Sequence, residues 1–172
     1  QYLRSRLGEL EPLLTESYPK KLTFHDPCYL GRHNGEYLAP RELIEAVPGA
    51  EFIEMYRCRE QSYCCGGGGG GMWLDGVTAD HTRERLSENR VKEAIEIGAE
   101  VLVVCCPYEV SRFEDAVKST DNEGKLEVFG DQISGNFIHG LSVSWVAPSL
   151  FRRSRKLYKP VSCPSLQRMR MA

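Results

Sequence analysis

A parallel-sheet α/β domain of βαβ units, with cysteines at the carboxyl ends of its strands, is the fold that this 172-residue chain predicts. Strand-like and helix-like runs alternate along its first 130 residues, the pattern that βαβ units produce. Val101-Leu102-Val103-Val104 is a continuous apolar run of the kind that parallel sheets bury on both faces. Three of the strand-like runs lead into thiols: Cys28, then Cys64 with Cys65, then Cys106. Sites in open parallel sheets lie outside the carboxyl ends of the strands, so these thiols are expected to meet there.

The opening QYLRSRLGELEPLL places Tyr2, Leu3, Leu7, Leu10 and Leu14 at helical spacing. Residues 1–19 are read as a helix left over from an upstream region of a longer chain. Lys21 to Asp26 is a strand that Pro27 stops, because proline cannot donate to a ladder. Tyr29 to Tyr37 is rich in turn residues, and Pro40 opens a helix through Arg41, Leu43, Ile44 and Val47 that Pro48-Gly49 ends. Ala50 to Met55 alternates as a second strand and leads through Tyr56 into Cys64-Cys65. After the glycines, Asp75 or Thr78 is expected to cap a long polar helix with Val91, Ala94, Ile95 and Gly98 on one face. Glu100 to Val104 is the third strand, Pro107 suits the first turn of a helix over YEVSRFEDAVKS, and Lys125 to Phe129 is a fourth strand.

Composition narrows the function. With 41% hydrophobic and 27% charged residues the chain suits one globular domain. No apolar run approaches the roughly 18 residues that a membrane span needs, so the chain is read as soluble and cytoplasmic, associated with a membrane only through a partner. From Asp131 to Ala172 seven Lys or Arg face one Asp, a net of +6, which leaves −8 on the first 130 residues of a chain carrying −2 in all. An acidic body argues against a nucleic-acid surface. The basic, Ser- and Pro-containing stretch 131–172 lacks periodicity and is expected to be a poorly ordered tail, either an altered terminus or an extension that docks an acidic partner. Seven cysteines, four of them in the adjacent pairs Cys64-Cys65 and Cys105-Cys106, suit metal binding or redox chemistry better than a disulfide framework.

Two adjacent thiols point different ways from an extended backbone, so Cys64 and Cys65 at the mouth of Gly66 to Gly71 fit a grip on one metal-containing object from two angles. The glycine run has three readings: backbone that enfolds a metal cluster, a flexible linker, or a phosphate loop. The last needs a loop opening directly from a strand, and here two cysteines intervene. His25, inside the first strand, reads as a core histidine, and His81 as part of a solvated helix face. Arg32 and His33 follow Cys28 and are candidates for contacts beside the thiolates or to substrate. Cys58 and Cys163 are expected to bind nothing. Cys105 should point away from Cys106 if the strand persists to it.

HDPCYLGRHNGEY, YCCGGGGGGMW and VVCCPYE together resemble the cysteine-rich CCG domain of heterodisulfide reductase catalytic subunits and related iron-sulfur oxidoreductases, over roughly residues 20 to 120. The resemblance makes 20–130 an iron-sulfur domain, the second of two that stand in tandem in that family. It implies a four-iron four-sulfur cluster, cubane or non-cubane, on Cys28, Cys64, Cys65 and Cys106. Gly66 and Gly67 would lie against that cluster. The family pattern ends in Cys-Pro-x-Cys, whereas this chain has Cys106-Pro107-Tyr108-Glu109, so Glu109 stands where the fifth thiol belongs and would put a carboxylate on one iron. The function implied is electron transfer in an oxidoreductase, incomplete as an isolated chain. Its electrons would pass between a ferredoxin-like or flavin-containing partner subunit and a disulfide or quinone-type acceptor. Two other classes fit the thiols alone: a structural zinc site, although zinc ligands usually pair at CxxC spacing, and a metal-free thiol-disulfide exchange protein, although no CxxC is present.

Overall fold

Val101–Val104 forms strand β3, and its neighbours on either side complete an all-parallel sheet in a computed structural model that describes residues 1–74, 76 and 80–130. The strands are β1 (Lys21–Phe24), β2 (Glu51–Phe52), β3 and β4 (Glu127–Gly130), in the order β2-β1-β3-β4. Leu22 pairs with Phe52 on one side and Val101 on the other, and Val101 to Val104 pair with Glu127 to Gly130. The expected parallel α/β fold is therefore present.

Alternation along β3 divides the core into two layers. Val101, Val103 and Cys105 face a layer with Leu22, Phe24, Phe52 and Ile44, the last from helix α3 (Leu38–Glu45). Leu102 and Val104 face the other layer, where Val91 and Ala94 of α4 (Leu86–Glu96) meet Phe113, Ala116 and Val117 of α5 (Pro107–Ser119). Every side chain of that second set except Val117 is fully buried. At about 1.5–3 kcal/mol for each large apolar side chain, this burial is the main stabilising term.

Several boundaries differ from the sequence expectation for local reasons. The opening helix is broken into α1 (Tyr2–Ser5), α2 (Leu7–Leu10) and a 3₁₀ turn (Glu11–Leu13), because Arg6 between the first two departs from helical geometry with φ −111°. Tyr29–His33 forms a single π-helical turn rather than irregular loop, closed by the His33 N–H donating to the Cys28 carbonyl at 3.0 Å. α3 starts two residues ahead of Pro40, since Glu36 Oε1 accepts the Leu38 and Ala39 N–H groups and proline is tolerated in a first turn. β2 is short because its pairing with β1 ends early, the last bond running from the Ile53 N–H to the Leu22 carbonyl. α4 begins at Leu86, where the Glu88 carboxylate reaches back to accept the Arg85 N–H at 3.0 Å and its Nε–H at 2.9 Å. His81 accordingly lies exposed in a turn ahead of the helix rather than on its face. Asp75, Thr78 and the stretch 131–172 fall outside the described residues.

Two ion networks hold the elements. Arg41 of α3 donates two bonds to Asp26 (2.7 and 2.8 Å) and two to Glu54 (2.6 and 3.0 Å), all from within the protein. Burial works against the guanidinium's charge, and the two carboxylates more than offset it, so its pKa lies above the ordinary value. Between α4 and α5, Arg85 reaches Asp115 (2.5 Å) and Ser119 (2.8 Å), and the Ser119 hydroxyl donates to Glu88 (2.8 Å).

Arg41→Met should cost about 3–5 kcal/mol in urea unfolding, because it leaves the buried Asp26 without its cation and Glu54 with Arg59 alone; a loss under about 1 kcal/mol would refute that account of the network. Glu88 gives a pH dependence. Burial would raise its carboxyl pKa, but the Ser119 hydroxyl and the Arg85 N–H and guanidinium outweigh it, so the native value lies below 4.5. The stability it contributes is complete above 4.5 and is lost as pH falls through the lower native value. Glu88→Gln should therefore narrow the gap between unfolding free energies measured at neutral and at strongly acid pH, and an unchanged gap would count against the assignment.

Candidate metal centre

β1 leads through α3 to β2 on one side, while β3 lies on β1's other side and leads through α5 to β4. The direction of winding reverses between β1 and β3, and at such a switch point the loops part to leave a crevice. His25, Asp26, Cys28, Arg32, Tyr63, Cys64, Cys65 and Glu109 line one narrow cleft there.

Each arrives by its own route. The β1 ladder extends one residue further, the His25 N–H donating to the Val103 carbonyl at 3.0 Å, before Pro27 turns the chain and the π-helical turn carries Cys28 and Arg32 over the sheet end. Asp26 Oδ2 accepts the Arg59 N–H at 2.7 Å, and Arg32 Nη2 donates to the Ser62 carbonyl at 2.9 Å. These two bonds tie the Cys28 segment to the segment entering Cys64. Cys106 lies two residues beyond β3 at the N-cap position of α5, whose first turn holds Glu109, with the Glu109 N–H donating to the Cys106 carbonyl at 2.9 Å.

The glycine run folds over the two adjacent thiols. The Gly66 N–H donates to Cys64 Sγ at 3.3 Å and the Gly67 N–H to Cys65 Sγ at 3.4 Å. Gly66 has φ +76°, open only to glycine without strain, and a Cβ at Gly71 would stand 2.5 Å from the Gly66 carbonyl oxygen. The run is thus backbone packed on itself and on sulfur, not an extended linker. The Cys65 side chain holds the Cys64 thiol down to about 5 against the effect of burial, helped by the Gly66 N–H and the positive charge of Arg32, while the same contact together with burial pushes Cys65 up. Burial, Glu109 and Cys28 push the Cys106 thiol up, against the Tyr108 and Glu109 N–H groups.

Cys28, Cys64, Cys65, Glu109 and Arg32 come together in the cleft, with Gly66 and Gly67 on its sulfurs. Cys106 stands beside Glu109 and electrostatically close to Cys28, but is not among the residues lining the cleft. His33 is exposed, its ring 5.3 Å from that of Tyr29, and does not line the cleft. Cys105 packs in the opposite core layer, and Cys58 is fully buried away from the lining. Cys163 falls outside the described residues.

Two residues carry more than their sequence pattern shows. His25 is a core histidine, 1% exposed, yet its Nε2 lies 3.4 Å from Glu109 Oε1. Arg90, fully buried in α4, donates from Nε to His25 Nδ1 at 3.4 Å and from Nη1 to Glu93 at 2.8 Å. An Arg-x-x-Glu pair at this spacing reads in sequence as a solvated helix face, and only the fold turns it inward. Ligand-capable atoms of His25, Cys65 and Glu109 lie within 4.8 Å of one another. Glu109 Oε2 is buried with no hydrogen-bond partner, so the donor set pairs soft thiols and sulfur-directed N–H groups with an orphan carboxylate oxygen. That set fits an iron-sulfur group, which takes thiolate ligands and hydrogen bonds at sulfur.

Comparison with known proteins agrees with the geometry. The chain is 38% identical to the probable iron-sulfur-binding oxidoreductase FadF of Bacillus subtilis over 71% of its length, and 36% identical to the EtfAB:quinone oxidoreductase of Syntrophomonas wolfei over the same share. It is 42% identical over 58% of its length to one of the subunits of the dihydromethanophenazine:CoB–CoM heterodisulfide reductase of Methanosarcina barkeri. The aligned regions make up 16%, 17% and 24% of those relatives, so the chain corresponds to a minor part of each. The cysteine-rich CCG family pattern matches residues 22–108, half of the chain and every cysteine from Cys28 to Cys106, and on that match the chain belongs to the CCG cysteine-rich domain family.

Proposed function

We propose that residues 20–130 form the iron-sulfur domain of an electron-transferring oxidoreductase. The domain would hold a four-iron four-sulfur cluster, cubane or non-cubane, on Cys28, Cys64, Cys65 and Cys106 with Glu109 as a carboxylate ligand. One observation carries the reading: thiols remote in sequence converge at the switch point between β1 and β3, where the Gly66 and Gly67 N–H groups already donate to sulfur. The iron-sulfur-binding and oxidoreductase relatives support it. When bound, such a cluster supplies a site that takes up and gives back electrons.

The chain's own residues would set the terms of that exchange. Inward N–H groups stabilise negative charge at sulfur and so favour the reduced state. Arg32 at the cleft adds positive charge from the solvent side, while the buried Glu109 carboxylate opposes it. Ser62 and Asp26 fix the two thiol-bearing loops relative to one another through Arg32 and Arg59. The donor would be a ferredoxin-like or flavin-containing subunit and the acceptor a disulfide or quinone, each of which takes two electrons and two protons on full reduction. No helix among the described residues is long and apolar enough to cross a membrane.

Anaerobic purification with iron, acid-labile sulfide and zinc measured together is the decisive test. About four iron and four sulfide per chain are expected, with both lost in Cys64→Ala and Cys65→Ala; one zinc and no iron would replace this reading with a structural metal site. Gly66→Ala places a side chain at φ +76° in the loop that donates to Cys64. It should cost about 1–2 kcal/mol locally and lower iron content while far-ultraviolet dichroism stays unchanged. Full iron loading in that variant would show the loop to be dispensable.

A further inference from the structure

His25 has no part in the thiol set, yet it is buried beside the one carboxylate of the cleft that faces sulfur. Arg90 Nε–H donates to its Nδ1 at 3.4 Å, so that nitrogen acts as acceptor and the ring proton sits on Nε2. Nε2 lies 3.4 Å from Glu109 Oε1. Arg90 is itself fixed, giving Nη1 to the Arg57 carbonyl at 2.7 Å and to Glu93 at 2.8 Å, and the imidazole rests edge-on against Phe113 with ring centres 4.9 Å apart. The tautomer and the ring plane are therefore set from behind. One oxygen of Glu109 faces a donor, while the other, Oε2, is buried with no partner and shares the cleft with Cys65.

An unpartnered carboxylate oxygen in the protein interior is costly, and a cation relieves it. A histidine N–H that holds the rear oxygen of a ligand carboxylate is the familiar way in which an outer contact aims an inner one. We propose that Glu109 ligates one iron through Oε2 and that His25 is the positioning residue that presents this oxygen, through the ring nitrogen Nε2 that faces Oε1 at 3.4 Å. Building on the iron-sulfur reading above, this marks one iron as the oxygen-bound member of an otherwise thiolate set and so the odd one in charge and ligand exchange.

The test uses the 172-residue chain, produced anaerobically with carboxyl-¹³C glutamate and examined by electron-nuclear double resonance. A ¹³C coupling is expected in the unmutated protein and should vanish in Glu109→Gln. His25→Phe keeps the ring against Phe113 and removes the donor, and His25→Asn is too short to reach Glu109. Both should keep iron but lose or alter the coupling, and should release iron to a chelator roughly ten- to hundredfold faster. His25→Gln, which still offers an N–H, should restore most of both. Iron with no ¹³C coupling in the unmutated chain overturns ligation through Glu109. Unchanged coupling and iron release in a folded, iron-loaded His25→Phe or His25→Asn overturns the role of His25. A chain with no iron at all fails the reading of the domain itself, a different result from either.

Discussion

The geometry of the cleft depends on one buried guanidinium. Asp26 follows β1 directly and Glu54 follows β2, two carboxylates taken out of water near strand ends; Arg41, reaching across from α3, is the cation they share. Asp26 also accepts the Arg59 N–H, and Arg59 in turn lies 3.3 Å from Glu54. Charges buried this deeply are tolerable only when fully paired, so the three groups admit few arrangements. The loop bearing Cys28 and the loop entering Cys64 are thereby locked to a common point. Arg59 itself has φ +55°, strained for a residue with a side chain, and that strain is held by the bond its N–H makes to Asp26.

Around the thiols the charge pattern is set to accept anionic sulfur. Arg32 lies at the cleft, Arg90 behind His25, and Arg57 over the Tyr63 ring at 3.7 Å. Backbone does as much as side chains. The Gly66 and Gly67 N–H groups reach sulfur because the loop backbone can turn in ways that a side chain would obstruct. The Cys64 thiol is drawn down and the Cys65 thiol pushed up by their mutual contact, so a metal that took both as thiolates would displace a proton from the Cys65 side.

The layered fold was legible from the sequence because its signals are strong and local. The run from Val101 to Val104 could only be a buried strand, and Pro107 marked the start of α5 to the residue. The odd-even rule separated Cys105 from Cys106 only on the condition that the strand reached them; β3 ends at Val104, and Cys105 packs against the layer that holds Leu22 and Phe24. The losses came where a competing interaction outranked pattern. Glu36 pulled the start of α3 ahead of Pro40, and the Arg85 and Glu88 pair set the start of α4 in place of the earlier polar residues. Arg90 and Glu93 look like a surface ion pair because sequence spacing records which residues share a helix face, not which way that face points. His25 was readable as core but not as site, since its link to Glu109 spans β1 and α5 and exists only after the sheet has formed.

Drawing the thiols from three separate strand ends has a consequence that a CxxC pair does not. A short-range pair can grip a metal before the chain folds, whereas Cys28, Cys64, Cys65 and Cys106 become neighbours only once β1, β2 and β3 lie side by side. Metal affinity and folding free energy would then be one linked quantity, because the unfolded chain offers no comparable site. The Arg41 network and the apolar layers stabilise the arrangement from beneath. In return, a metal bound across the ends of β1 and β3 would secure the crevice at the switch point, where no ladder hydrogen bonds continue. The sheet positions the thiols, and ligation would close the gap that the sheet's winding leaves open.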